Sequence, residues 1–213
     1  MLKKCGSLFF KINIMDKTKT FKIPKTNSLL AVSIYVLTSI CVFTYGFLNI
    51  ELFFGTKLLF AVLGLLFFTL IEYVAHRFLY HSGNDYKDEA NWQYTIHGVH
   101  HVYPKDVGLL AMPILLAIFL GALFFFLFYL IMKDYTYFFW PGFFLGYALY
   151  LFIHYKIHAN KPPQNIFGYL WKHHSLHHYI YDDKAYGVSS PLWDIIFRTM
   201  PPKKAIHKRK QTP

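Results

Sequence analysis

Charge is scarce in this sequence. Charged residues make up 15 % of the 213, against roughly 25 % in an average soluble domain, and only 11 residues are acidic. Hydrophobic residues reach 55 % and come in long blocks, which excludes an ordinary soluble protein. Cysteine is nearly absent. Cys5 and Cys41 cannot build a disulfide framework, and Cys41 falls in an uncharged apolar run, so both are expected as free thiols facing a reducing compartment. No Gly/Ser-rich linker or internal repeat divides the chain, and no cleavable signal peptide is evident. Lys3, Lys4, Lys11, Lys17, Lys19, Lys22 and Lys25 precede the first apolar block, which is longer than a signal's apolar core. What is abundant is aromatic and basic. The 21 % of aromatic residues excludes a disordered or low-complexity chain. A net charge of +11 would suit nucleic acid, but a membrane explains it better.

Three windows carry no charge at all, residues 26–50, 107–132 and 135–155, and a fourth, 58–75, carries only Glu72 near its end. Each can cross roughly 30 Å of hydrocarbon as a helix. The expected fold is therefore an all-α integral membrane protein with four transmembrane helices. They pair as two hairpins, through short connections at 51–57 and 133–134. Four crossings put both termini and the 77–106 loop on one side, which then collects 20 of the 22 basic residues. By the positive-inside rule that side is cytosolic, in a bacterial inner membrane or an endoplasmic reticulum. The expected division is a basic N-terminal cytosolic segment over 1–25, one membrane domain over 26–200 and a basic C-terminal tail over 201–213. Residues 203–210 read as a solvated segment near anionic lipid, with no nucleic-acid partner.

Twelve histidines are present, and ten fall into spaced groups: His76 and His81; His97, His100 and His101; His154 and His158; His174, His177 and His178. At this frequency a His-x-x-His-His would arise by chance about 0.04 times per chain, and two of them about once in a thousand chains. Positions i, i+3 and i+4 share one face of a helix, so each triplet is expected to point three imidazoles in one direction. His154 and His158 add two more at the mouth of the fourth span. His76 and His81, five apart, do not share a face of an ideal helix and should straddle the point where the second span ends. All ten emerge on the same side of a four-span protein, whereas three spans would scatter them. Ten imidazoles exceed what one ion can bind, so two metals are implied. Imidazole suits Fe, Zn, Cu and Ni alike, and the partition of the ten between the ions is not readable. The bland alternative for any single one is a buried histidine bonded to a carbonyl.

The wording around these histidines resembles a known family. Glu72-Tyr73-x-x-His76-Arg77-Phe78, then His97-Gly98-x-His100-His101-x-x-Pro104-x-Asp106, then His174-x-x-His177-His178 with Gly187-Val188-Ser189-Ser190-x-x-Trp193-Asp194, look like the fatty acid 2-hydroxylases of the fatty acid hydroxylase and sterol desaturase superfamily. The likeness spans about residues 55–200. It implies a cytosolic helical cap over the four spans and a dimetal site held by the ten histidines, with iron expected and zinc possible in isolated material. It further implies an oxidoreductase that takes O2 as co-substrate and inserts one oxygen atom beside the carboxyl of a long acyl chain, free or within a ceramide. After Asp106 the family tends to continue Arg-Leu-Val, whereas this chain continues Gly108-Leu109-Leu110. The His-Pro-Gly-Gly motif of a fused haem domain is not found. Electrons are thus expected from a separate b-type cytochrome or ferredoxin-like protein with its reductase, and the lipid substrate from the bilayer.

No catalytic residue beyond the metal ligands can be named. Glu72, four before His76, shares its helical face and could accept the second ring N–H of a ligand, or pair with Lys or Arg instead. Asp106 has the same two readings. His173 reads as a spare or supporting residue, and His207 as solvated. Trp140 and Tyr155 read as an aromatic belt, and Gly142 with Gly146 as a site of close helix approach within the chain rather than between copies. The competing readings are another histidine-rich membrane oxidase, such as a sterol or carotenoid hydroxylase or a desaturase, and a metal transporter or storage protein. Transport would need polar ligands within the spans, and the first and third windows hold none.

Overall fold

The computed structural model describes residues 23–82, 87–89 and 91–202, and among these every regular element is helical. Seven α-helices run in the order α1 (Ser28–Asn49), α2 (Phe54–Val74), α3 (Val99–Val102), α4 (Ile114–Met132), α5 (Thr136–Ala159), α6 (Gly168–Tyr179) and α7 (Leu192–Ile196). Cys5, His207 and the segments 1–22 and 203–213 lie outside the described residues.

Local chemistry sets the boundaries. Asn27 starts α1 by accepting from the Leu30 amide at 3.1 Å, a side-chain cap that supplies one of the bonds a helix start lacks. The second apolar window begins earlier than its charge pattern suggests, because Lys57 is buried inside α2. Its ammonium donates to the Phe47 carbonyl at 3.2 Å and stands over the Phe47 ring. The third window begins later. Residues 107–109 form a 3-10 turn, and Pro113 holds the residue before it out of helical geometry, so α4 starts only at Ile114. The chain folds back at Lys133, which takes a left-handed φ of 50°.

Three apolar stretches are long enough to cross a membrane: Ser28–Asn49, Phe54–Tyr80 and Val107–Ala159. The last contains α4 and α5 with the turn between them. Helix α5 is central. Phe138, Phe139, Trp140, Phe143, Phe144, Ala148 and Leu151 bury it nearly all round, while α1, α2 and α4 each bury one stripe and expose residues such as Leu48, Phe54, Leu115 and Ile131. α2 runs parallel to α5 at very close range. A Cβ on Gly142 would strike the Ala61 carbonyl, and one on Gly64 would strike that of Phe139. The glycines therefore serve packing within the chain. Trp140 is not part of an aromatic belt. It is buried and donates to the Gly121 carbonyl at 2.7 Å, tying α4 to α5. Cys41 is free and exposed on α1.

Because α2 and α5 are parallel, their C-terminal ends arrive together. The start of α1 joins them there, where Lys25 pairs with Asp106, Thr26 donates to the Gly108 carbonyl and Ser28 to that of Val107. At this end the short helices collect.

Candidate metal centre

All ten grouped histidines meet at that end, in two sets of five whose ring nitrogens lie within 4.8 Å of one another. The first set is His76, His81, His97, His101 and His177; the second is His100, His154, His158, His174 and His178. Each triplet is split rather than aimed one way. His97 and His101 enter the first set and His100 the second; His174 and His178 enter the second and His177 the first. On a helix, i+4 is rotated about 40° to one side of i and i+3 about 60° to the other, so the pair and the single ring diverge toward two points. The sets adjoin, with the His101 and His178 rings stacked at 4.2 Å.

His76 and His81 come together through a wide turn. Ala75–Tyr80 is π-helical, closed by the His81 amide on the His76 carbonyl at 3.2 Å, and it brings i and i+5 onto one face with ring centroids 5.0 Å apart. A second π turn, Tyr94–Gly98, leads into α3. Such turns are rare and cluster at functional sites.

The nitrogen contacts identify what the pocket suits. In the second set the Nε2 atom of His174 faces those of His154, His158 and His178 at 3.0, 3.0 and 2.9 Å, and His100 faces His158 at 3.1 Å. In the first, His97 faces His76 at 3.0 Å and His101 at 2.9 Å. A neutral imidazole has one N–H, so a proton on His174 could serve one neighbour and leave the other lone pairs opposed. Protonated rings are no remedy. Burial holds His81 and His178 down at about 2, and burial together with neighbouring imidazoles holds His97, His100, His101, His174 and His177 far below the usual histidine range. Several lone pairs converging on one point suit a shared cation. Separations of 2.9–3.1 Å match the roughly 3.0 Å between neighbouring nitrogens around an ion with metal–nitrogen bonds of about 2.1 Å. The residues fit two metal ions.

Two carbonyls fix two of the first set's five rings. His76 donates through Nδ1 to Tyr186 O at 2.5 Å, and His177 through Nδ1 to Lys184 O at 2.8 Å, which leaves Nε2 of each ring as the lone-pair nitrogen. His158 donates to the Pro104 carbonyl.

Of the three supporting candidates, Asp106 takes the second of its two readings, the pair with Lys, and Glu72 takes neither of its two. Glu72 reaches neither a ring nitrogen nor a cation: it accepts from Val188 N at 2.7 Å, Ser189 N at 2.9 Å and the Ser189 hydroxyl. Helix periodicity set its face correctly, but the loop packed above α2 arrives there first. Asp106 is bound to Lys25 and the Gly108 amide, and that ion pair holds its carboxyl below the ordinary range. His173 faces away from both sets and donates to Asp194 at 2.9 Å. Sequence reasoning placed Asp194 only at the Trp-Asp ending of the family motif, although a lone Asp within the apolar run 192–197 was an available signal. Burial raises its pKa, but bonds from His173, Thr199 and the Gly187 amide outweigh this and keep it an anion.

The family model for fatty acid hydroxylases matches residues 61–199. A dihydroceramide fatty acyl 2-hydroxylase of Arabidopsis thaliana is 37 % identical over 147 residues, covering 68 % of this chain and 62 % of the relative. A fatty acid 2-hydroxylase of Mus musculus is 37 % identical over 158 residues, covering 70 % and 41 %. The chain thus spans less than two thirds of the length of these relatives. A solved structure described as full-length scs7p, with only the hydroxylase domain visible, superposes with a TM-score of 0.75 at 29 % identity, covering 84 % of this chain and 69 % of the other.

Proposed function

This chain belongs to the fatty acid hydroxylase family, and from that premise we propose that it is a membrane-bound, O2-dependent oxidoreductase that hydroxylates the carbon next to the carboxyl of a long acyl chain, free or within a sphingolipid. One observation carries the reading: two adjoining sets of five imidazoles at one end of an apolar helix bundle. The names of the relatives, dihydroceramide fatty acyl 2-hydroxylase and fatty acid 2-hydroxylase, support the choice of substrate.

The ten histidines are the proposed ligands of two iron ions, which supply the O2-dependent redox chemistry that an unactivated C–H bond needs and no side chain offers. In the overall balance one oxygen atom enters the C–H bond, and the other leaves as water with two electrons and two protons from an external donor protein. The chain's own residues do the placing. Burial keeps the rings neutral, so that nitrogen lone pairs face the ions at physiological pH. The Tyr186 and Lys184 carbonyls hold two of the rings in one tautomer. Tyr150 lies beside His154 with ring centroids 5.5 Å apart, and Tyr147 and Tyr35 continue that aromatic wall down α5 and α1. This wall excludes water below the second set and offers apolar surface to an acyl tail. α1, α2, α4 and α5 are the four proposed spans, with residues 26–200 as one membrane domain. The histidine end and both basic flanks then face the cytosol.

Mass spectrometry of lipids from a host expressing the chain tests this. A gain of one oxygen atom at the 2-position is expected. It should vanish in His100→Ala and His177→Ala while the protein stays in the membrane fraction. Loss of two hydrogens instead, or oxidation of a sterol, would overturn the reaction assigned.

A further inference from the structure

Residues 186–189 present four consecutive backbone N–H groups, and two buried carboxylates take all four. Asp194 accepts from Tyr186 N at 2.9 Å and Gly187 N at 2.8 Å; Glu72 accepts from Val188 N at 2.7 Å and Ser189 N at 2.9 Å. Asp194 is held in turn by the Thr199 hydroxyl at 2.7 Å and by His173. Ala185 adopts a left-handed φ of 59° and donates to the Thr199 carbonyl at 2.9 Å. With the amides committed in this way, the Lys184 and Tyr186 carbonyls face His177 and His76. Both rings belong to the first set. Glu72 near the end of α2 and His76 in the π turn that continues it sit four residues apart, so one continuous helical stretch carries a ligand together with the anchor of the carbonyl that orients it.

The second set is supported differently. His158 meets the Pro104 carbonyl, and the Nδ1 atoms of His100, His154, His174 and His178 are buried with no protein partner. His158 apart, its rings are placed by helix packing rather than by a carbonyl on the far nitrogen.

We infer that Glu72 and Asp194 are positioning residues for the first histidine set alone, acting through the 184–189 loop, so that the two metal positions are gripped independently and respond separately to that loop. A ring whose Nδ1–H is committed to a fixed carbonyl presents its Nε2 lone pair in one direction and as a better donor, and such supports are worth roughly 10- to 100-fold in metal affinity. The inference rests on the reading that the ten histidines hold two ions, and the experiment separates the two claims.

The full chain in detergent is loaded with Zn2+ as the probe, and zinc retained against a chelator is counted per protein. His97→Ala disables the first set and His174→Ala the second, giving parents that report one position each. In the His174→Ala parent, Glu72→Leu or Asp194→Asn should weaken zinc retention about 10- to 100-fold. In the His97→Ala parent neither should change it more than about twofold. Glu72→Gln should restore retention, because both amides bond to the same oxygen, Oε1, which the amide side chain keeps. Ser189→Ala, which removes a single hydroxyl and spares the fold, should show the same selectivity at smaller size. Equal weakening in both parents, as a purely structural role would produce, overturns the inference, and so does no weakening in either. A wild-type chain that holds no zinc or iron overturns the metal reading and the inference with it.

Discussion

The loop behind the first histidine set is where single residues decide most. At Gly187 an added Cβ would run into the Ser190 carbonyl and approach Asp194 Oδ2 to 3.0 Å. Gly187→Ala should therefore pull its amide off Asp194 and cost about 1–3 kcal/mol, the range for overpacking a dense site. Ala185 has the opposite expectation. A left-handed alanine carries a penalty of roughly 1–2 kcal/mol, partly offset by the extra freedom that glycine brings to the unfolded chain, so Ala185→Gly should be neutral or slightly stabilising. Thermal denaturation of both variants in detergent checks the contrast in sign. The histidines themselves were legible because their spacing is improbable; Glu72 and Asp194 were not legible in their actual roles. Both bond to backbone amides more than one turn of chain away, one of them across 116 residues, and no local periodicity reports a partner at that separation.

Among the elements, the π turn Ala75–Tyr80 and the contact of α2 with α5 carry the site. Deleting Leu79 should turn the wide turn into ordinary helix, swing His81 by about 100° and take it out of the first set. Zinc retained by the His174→Ala parent should fall while that of the His97→Ala parent holds. At the crossing of α2 and α5, Gly142→Leu would force the helices apart, because a side chain there meets the Ala61 backbone. It should lower the melting temperature and metal content together, whereas Leu115→Ala, at an 85 % exposed position, should change neither. The windows without charge revealed that these helices exist and roughly where they lie. They misplaced two starts, since charge content is blind both to a lysine that buries itself on a carbonyl and to a proline that delays a helix.

For the molecule as a whole, stability should depend on pH through the histidines. His81 and His178 are held at about 2 when folded, against a usual 6.5. As pH falls below about 6.5 the unfolded chain takes up protons that the folded chain refuses, so stability is full above that value and drops as pH is lowered, by up to about 1.4 kcal/mol per unit for each such histidine. Bound metal competes with the same protons, so the loss should be accompanied by metal release. Stripping the metals with a chelator at pH 7.5 should lower the melting temperature, and adding back Fe2+ or Zn2+ should restore it in a concentration-dependent way. Melting curves across pH 5–8, with and without chelator, check both.

Sequence alone determined that the chain is helical and apolar, that ten of its histidines fall into improbably spaced groups, and which family its motifs belong to. Periodicity, charge-free length and spacing are properties of a single segment, and they survive without knowledge of neighbours. The tertiary structure decided how the ten rings divide. A triplet on one helix points at two places, and only the packing of α2, α3, α5 and α6 at a common end determines which rings from other segments wait at each. It also decided that two carboxylates, 122 positions apart in sequence, hold one short loop against one of the two sets, because a carboxylate takes whichever amides folding brings to it.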